Sequence, residues 1–223
     1  VPSQGKYVPH PQCAPFVIPY LIATSIILIL ILLKNRNLLK KFTAIDYAYM
    51  GVGGTLVAVM QHVIGIAIPV PFPQWIPLPS YLEVLTAFTA ISLVRKFGAG
   101  MITMGVAEII GDTIHYGFGG EPVGLYLNIV TYGLMADIAI LLTRNNLFAS
   151  KNIGLVALEG ALLGLAWSVV HPFFTYGFIA PELYGFVPNA TRVFFFFETY
   201  AVGLLIMGAI SAIIANRVMR LVA

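Results

Sequence analysis

A chain of 223 residues that is 59% hydrophobic and only 9% charged cannot cover itself with a water-facing surface, because soluble domains average ~25% charged residues. The +3 charge, from twelve basic and nine acidic residues, gathers at the ends of predicted helices, which excludes a nucleic-acid patch and makes lipid the main solvent. The single cysteine, Cys13, excludes an internal disulfide and a cysteine metal cluster.

In chain order, Val1 to Pro15 is rich in Pro and lacks the basic start and cleavage site of a secretory signal. The first apolar run, 16–33, predicts a spanning helix. The second, 44–68, carries Ala44, Ala48, Gly51, Thr55 and Ala58 on one face, a stripe that lets another helix approach its backbone, with His62 near its far end. Prolines 69, 71, 73, 77 and 79 then exclude a helix, and Trp75 suits the lipid–water interface. The third run, 80–94, is the shortest and holds Glu83 near its outer end. The fourth, 98–116, places Glu108, Asp112 and His115 at i, i+4 and i+7, on one helical face. The fifth, 122–143, holds Asp137, and the sixth, 153–175, holds Glu159, Trp167 and His171. A second loop follows from Tyr176 to Asn189, with Pro181, Tyr184 and Pro188. The seventh run, 191–216, carries Glu198 and its own small residues Gly203, Gly208, Ala209, Ala212 and Ala215.

The expected fold is therefore all-α, a polytopic transmembrane bundle of about seven helices. Residues 1–36 form an extracytoplasmic segment with one extra helix, and 37–223 a six-helix membrane core. Lys34, Arg36, Lys40, Lys41, Arg95, Lys96, Arg144, Lys151, Arg217 and Arg220 fall on one side of this arrangement, with Lys6 and Arg192 on the other. The bias predicts a multi-pass protein of the cell membrane with its amino terminus outside, its carboxyl terminus cytoplasmic and both proline-rich loops outside.

An ionisable group at membrane depth costs at least ~2.5 kcal/mol, so each one is expected to face the bundle interior. His62, Glu83, Glu108, Asp112, His115, His171 and Glu198 all map to the outer half, whereas Asp137 and Glu159 map to the inner half. The first group predicts an outward-facing pocket lined by Tyr116, Tyr126, Tyr132 and Trp167, with aromatics for a flat ring and carboxylates for a positive charge. Asp137 and Glu159, taken singly, favour a structural role by about two to one. The competing chemistry is a transition metal held by His62, Asp112, His115 and His171, although their spacing matches no standard ligand pattern. Neither a phosphate-binding Gly-x-x-x-x-Gly-Lys loop nor a Gly-x-Ser-x-Gly nucleophile turn is present, and Ser168 near His171 has no further support as a nucleophile.

The runs Ser80–Phe88, Val94–Gly100 and Glu121–Leu125, with Glu108 and the stretch Tyr132–Asp137, resemble the substrate-binding S components of energy-coupling-factor vitamin transporters. The likeness is to the hydroxymethylpyrimidine/thiamine branch and covers about 80–145, extending in outline from about 42 onward. It implies a six-helix protein without catalysis or cofactor of its own, which takes a vitamin from outside and docks on a transmembrane coupling subunit with two ATPases. Ala44 and Ala48 would meet the family's Ala-x-x-x-Ala docking motif, with Gly51 beside them, and Glu83, Glu108 and Asp112 would contact the ligand. Asp46, between the two alanines, is an unusual residue for a docking surface, and residues 1–36 add one helix to the family's six. The alternative is an integral subunit of a larger membrane enzyme complex, binding a metal or scaffolding its neighbours.

Overall fold

Uncharged apolar runs can satisfy their backbone in lipid only by coiling into helices or closing into barrels. The computed structural model describes residues 14–34, 41–64, 67, 78–116, 122–170, 172–174, 177–178, 181 and 190–222, and among these it shows seven helical segments and no strand. They are α1 (Ala14–Lys34), α2 (Ala44–Val59, continuing as a π turn over Met60–Ile64), α3 (Leu78–Val94), α4 (Ala99–Tyr116), α5, α6 (Ile153–Ser168) and α7 (Ala190–Val222). Helix α5 starts as Pro122–Asn128, widens into a π turn over Ile129–Gly133 and resumes as Leu134–Leu142. By length and composition four stretches can cross a bilayer, Pro15–Lys34, Gly124–Leu142, Ile153–Phe174 and Phe197–Val222, which makes this a multi-pass membrane protein.

Two boundaries differ from expectation. Helix α3 begins at Leu78 and takes Pro79 into its first turn, where the missing N–H has no helical acceptor to lose. Helix α7 runs 33 residues, beyond the expected end at 216. Its last turns are held to the α5–α6 connection, where Asn216 Nδ2 donates to the Phe148 carbonyl (2.5 Å) and Arg220 to that of Ser150 (3.0 Å).

The interior is built on close backbone approach. At Gly164 of α6 an added Cβ would lie 3.0 Å from the Leu204 carbonyl carbon and 3.1 Å from Gly208 Cα, so α6 and α7 touch almost main chain to main chain. The small residues Gly208 and Ala212 of α7 are thus consumed inside the bundle. Helix α2 divides its small residues between two faces. Gly53 and Gly54 pack inward on Ala90 of α3 and on Thr103 and Val106 of α4, and Ala58 is buried with them. Ala44, Ala48 and Thr55 are exposed, and nothing lies within 4 Å of where a Gly51 side chain would start.

Trp167 of α6 is the hub of the core. Its ring meets Phe88 and Tyr132 edge-on, each at a centroid distance of 5.1 Å. Helix α1 sits at the periphery, with Val17 buried among Leu127, Val170 and Phe174 and most of its apolar surface exposed. The Tyr20 hydroxyl donates to the Val130 carbonyl (3.1 Å), inside the π turn of α5.

At the end of the bundle where Lys96 and Arg220 lie, Thr43 and Asp46 form a capping box that starts α2. The same carboxylate pairs with Lys96 beyond the end of α3, and Asp46 is buried. Asp46 therefore turns inward, away from the exposed face of Ala44 and Ala48, which explains how a carboxylate sits between them.

Candidate functional site

The site begins with helical periodicity. On α3, Ser80, Glu83 and Val84 share one face. That face meets Gln61 from the π turn of α2, Tyr132 from the π turn of α5, Trp167 of α6, and Tyr200 and Leu204 of α7, and together they line a cavity of about 40 Å³. That volume holds about one water molecule. Both π turns contribute a polar residue to it, and π turns commonly re-aim side chains at functional sites.

Glu108 of α4 does not line the cavity but is tied to the helix that carries Tyr132. Asn128 Nδ2, one residue before the π turn of α5, donates to Glu108 Oε2 (2.7 Å), which anchors that carboxylate. The Tyr200 and Ser80 hydroxyls, both in the cavity lining, are 3.3 Å apart. Trp167 is 1% exposed, and its Nε1–H has no hydrogen-bond partner among the described residues. An unsatisfied buried donor costs ~1–3 kcal/mol, so this N–H is a ready contact for an acceptor entering the space. The cavity offers one carboxylate for a cation, three aromatic rings for a flat group and hydroxyl and indole donors for a polar edge.

Of the residues expected here, Glu83, Tyr132 and Trp167 line the cavity, and Glu108 does not. Asp112 is half-buried one turn further along α4 and does not line the cavity. The side chains of His115 and Tyr116, and the whole of His171, lie outside the described residues. Two expectations are corrected. Glu198 is exposed on α7, and the cavity takes Tyr200 instead, two residues on and therefore on nearly the opposite side of the helix. Tyr126 is exposed and bonds Ser25 of α1 through its hydroxyl, so it supports the extra helix and not the pocket.

The two inner carboxylates are occupied by backbone. Fully buried Asp137 accepts from the N–H groups of Gly100 (2.9 Å) and Met101 (3.0 Å), capping the start of α4. Glu159 accepts from Phe148 N (2.8 Å), where a φ of 58° bends the α5–α6 connection. Among the described residues no three His, Cys, Asp or Glu side chains converge as metal ligands. His62 instead lies against Gly111, where an added Cβ would come within 2.6 Å of its Nε2.

Gln61, Ser80 and Tyr200 were not foreseen. Tyr200 had a readable signal, since stepping back by four from Gly208, which lies on the packed face of α7, gives Leu204 and then Tyr200. Gln61 and Ser80 are short on signal, because an uncharged polar residue near a helix end suits the membrane interface equally well.

Fold and site together define a multi-pass helical membrane protein with a partly buried polar site between its helices. No protein-family model, no curated protein and no solved structure matches the chain.

Proposed function

We propose that this chain is a substrate-binding integral membrane subunit of an uptake system, taking a small cationic, ring-bearing molecule of the thiamine or hydroxymethylpyrimidine kind. The observation that carries the reading is Glu83 lining one cavity with Tyr132, Tyr200 and Trp167, whose Nε1–H is unpartnered among the described residues, while Asn128 holds Glu108 on the adjoining helix. A carboxylate in a lipid-shielded space favours a cation, and the surrounding rings favour a planar one. The cavity of about 40 Å³ is far smaller than an aminopyrimidine, so side chains must part on binding. The exposed Ala44, Ala48 and Gly51 face supports docking on a transmembrane coupling subunit associated with ATPases, with the basic end of the bundle cytoplasmic. In this reading the chain binds and hands over its ligand and catalyses no reaction itself.

The test is titration of the purified protein with thiamine and with hydroxymethylpyrimidine, following tryptophan fluorescence. Binding is expected, and Glu83→Gln or Glu108→Gln should weaken it by ~10- to 150-fold, the equivalent of a lost charge-assisted contact of ~1.5–3 kcal/mol. Absence of binding, with co-purification of redox or other enzyme subunits in place of ATPases, would overturn the reading and favour a subunit of a membrane enzyme complex.

A further inference from the structure

A second cavity, unrelated to the polar site, opens at the basic end of the bundle. It measures about 480 Å³, within the ~300–1,000 Å³ range of small-molecule sites. Lys34 from the last turn of α1, Lys41 just before α2 and Lys96 after α3 line it, and Leu30, Phe97 and Leu141 form its apolar wall. Asp46 is the carboxylate known to face this group, and it is already engaged by Lys96 and by the Thr43 N–H and hydroxyl. Lys34 and Lys41 therefore line the cavity beside the Lys96–Asp46 pair, next to a hydrophobic surface.

Charge and wall together select the occupant. A soluble anion would use the lysines and leave the apolar wall unmatched, and a neutral lipid would do the reverse. From the cavity, the exposed face of α1 continues through Leu33, Leu30, Ile26 and Ile22, a lipid-facing track along which an acyl chain can lie.

We infer that the cavity between α1 and the ends of α3 and α5 binds an anionic phospholipid, its phosphate headgroup held by Lys34, Lys41 and Lys96 and one chain lying along α1. The site joins the peripheral helix to the core, so bound lipid fastens α1 at the end opposite to its Tyr20 contact.

The full chain, purified in mild detergent, is mixed with phosphatidylglycerol or with phosphatidylcholine of matched chains, and bound lipid is counted by native mass spectrometry. Phosphatidylglycerol is expected to bind preferentially. The Lys34→Gln/Lys41→Gln double variant should weaken it ~25-fold, about fivefold for each lysine removed. Lys151→Gln, an exposed lysine that does not line the cavity, should leave it unchanged. Equal retention of phosphatidylcholine would reduce the site to an apolar groove and overturn the inference, and so would an equal effect of Lys151→Gln. Stabilisation by inorganic phosphate matching that by phosphatidylglycerol would assign the lysines to a soluble anion instead. The comparison of lipids on the unaltered protein decides the matter even if the double variant folds poorly.

Discussion

Gly51 and Gly54 lie three residues apart on α2, and the same substitution should act on them with opposite sign. An added Cβ at Gly54 would sit 2.5 Å from the Thr103 carbonyl oxygen and 2.8 Å and 2.9 Å from Cβ and Cγ1 of Val106, where ordinary contact begins at 3.4 Å. Two of these neighbours cannot rotate away, because one is main chain and the other a branch point next to it. Relief requires α2 and α4 to separate by up to about 0.9 Å at this crossing. Overpacking of this kind costs ~1–3 kcal/mol, against a helix-propensity gain of ~0.5–1 kcal/mol for Gly→Ala. Gly54→Ala should therefore lose ~1–2 kcal/mol, and Gly51→Ala, with open space around it, should keep the propensity gain. For a chain of this length 1 kcal/mol corresponds to ~2–4 °C, so thermal unfolding in detergent should fall by ~2–8 °C for Gly54→Ala and rise by ~1–4 °C for Gly51→Ala. Shifts of the same sign at both positions would refute the packing boundary that the structure draws along α2 between Gly51 and Gly54.

Asp137→Ala strands the N–H groups of Gly100 and Met101 and should cost ~2–5 kcal/mol, with faster amide exchange over residues 99–103. Asp137→Asn keeps a carbonyl acceptor and should lose less than half as much, so equal losses would argue for a charge-dependent role. Tyr20→Phe removes the donor to Val130 and should cost ~0.5–1.5 kcal/mol, with exchange rising in residues 129–133 and unchanged in α6.

The helices were legible because apolar runs of spanning length have no other stable form in lipid, and α1, α5, α6 and α7 follow the hydropathy closely. The site was only partly legible. Glu83, Glu108 and Trp167 stand out as costly or bulky residues that seek the interior; Trp167 is buried there, and the two carboxylates are half-buried. Glu198 stood out for the same reason, yet lies on the exposed side of a helix whose packed face is set by Gly208 and Ala212. Cost of burial predicts that a group seeks shelter but not where the helix phase puts it. Asp137 shows the converse, a buried carboxylate with both oxygens taken by main-chain donors, and Glu159 shares one oxygen in the same way.

The π turn at Ile129–Gly133 takes one extra residue into α5. Before it, Asn128 reaches Glu108 and Tyr126 reaches Ser25, whereas beyond it Asp137 reaches the start of α4. A π turn closes one turn of helix with one residue more than an α turn, so the extra residue is absorbed locally and the segments on either side keep the phase of an unbroken helix. Excising one residue here would close the turn and leave the Asn128–Glu108 and Asp137–Gly100 contacts in place, while changing how the wall at Tyr132 meets the cavity. A single-codon deletion at 129–133 would therefore alter the site without disturbing the bundle around it.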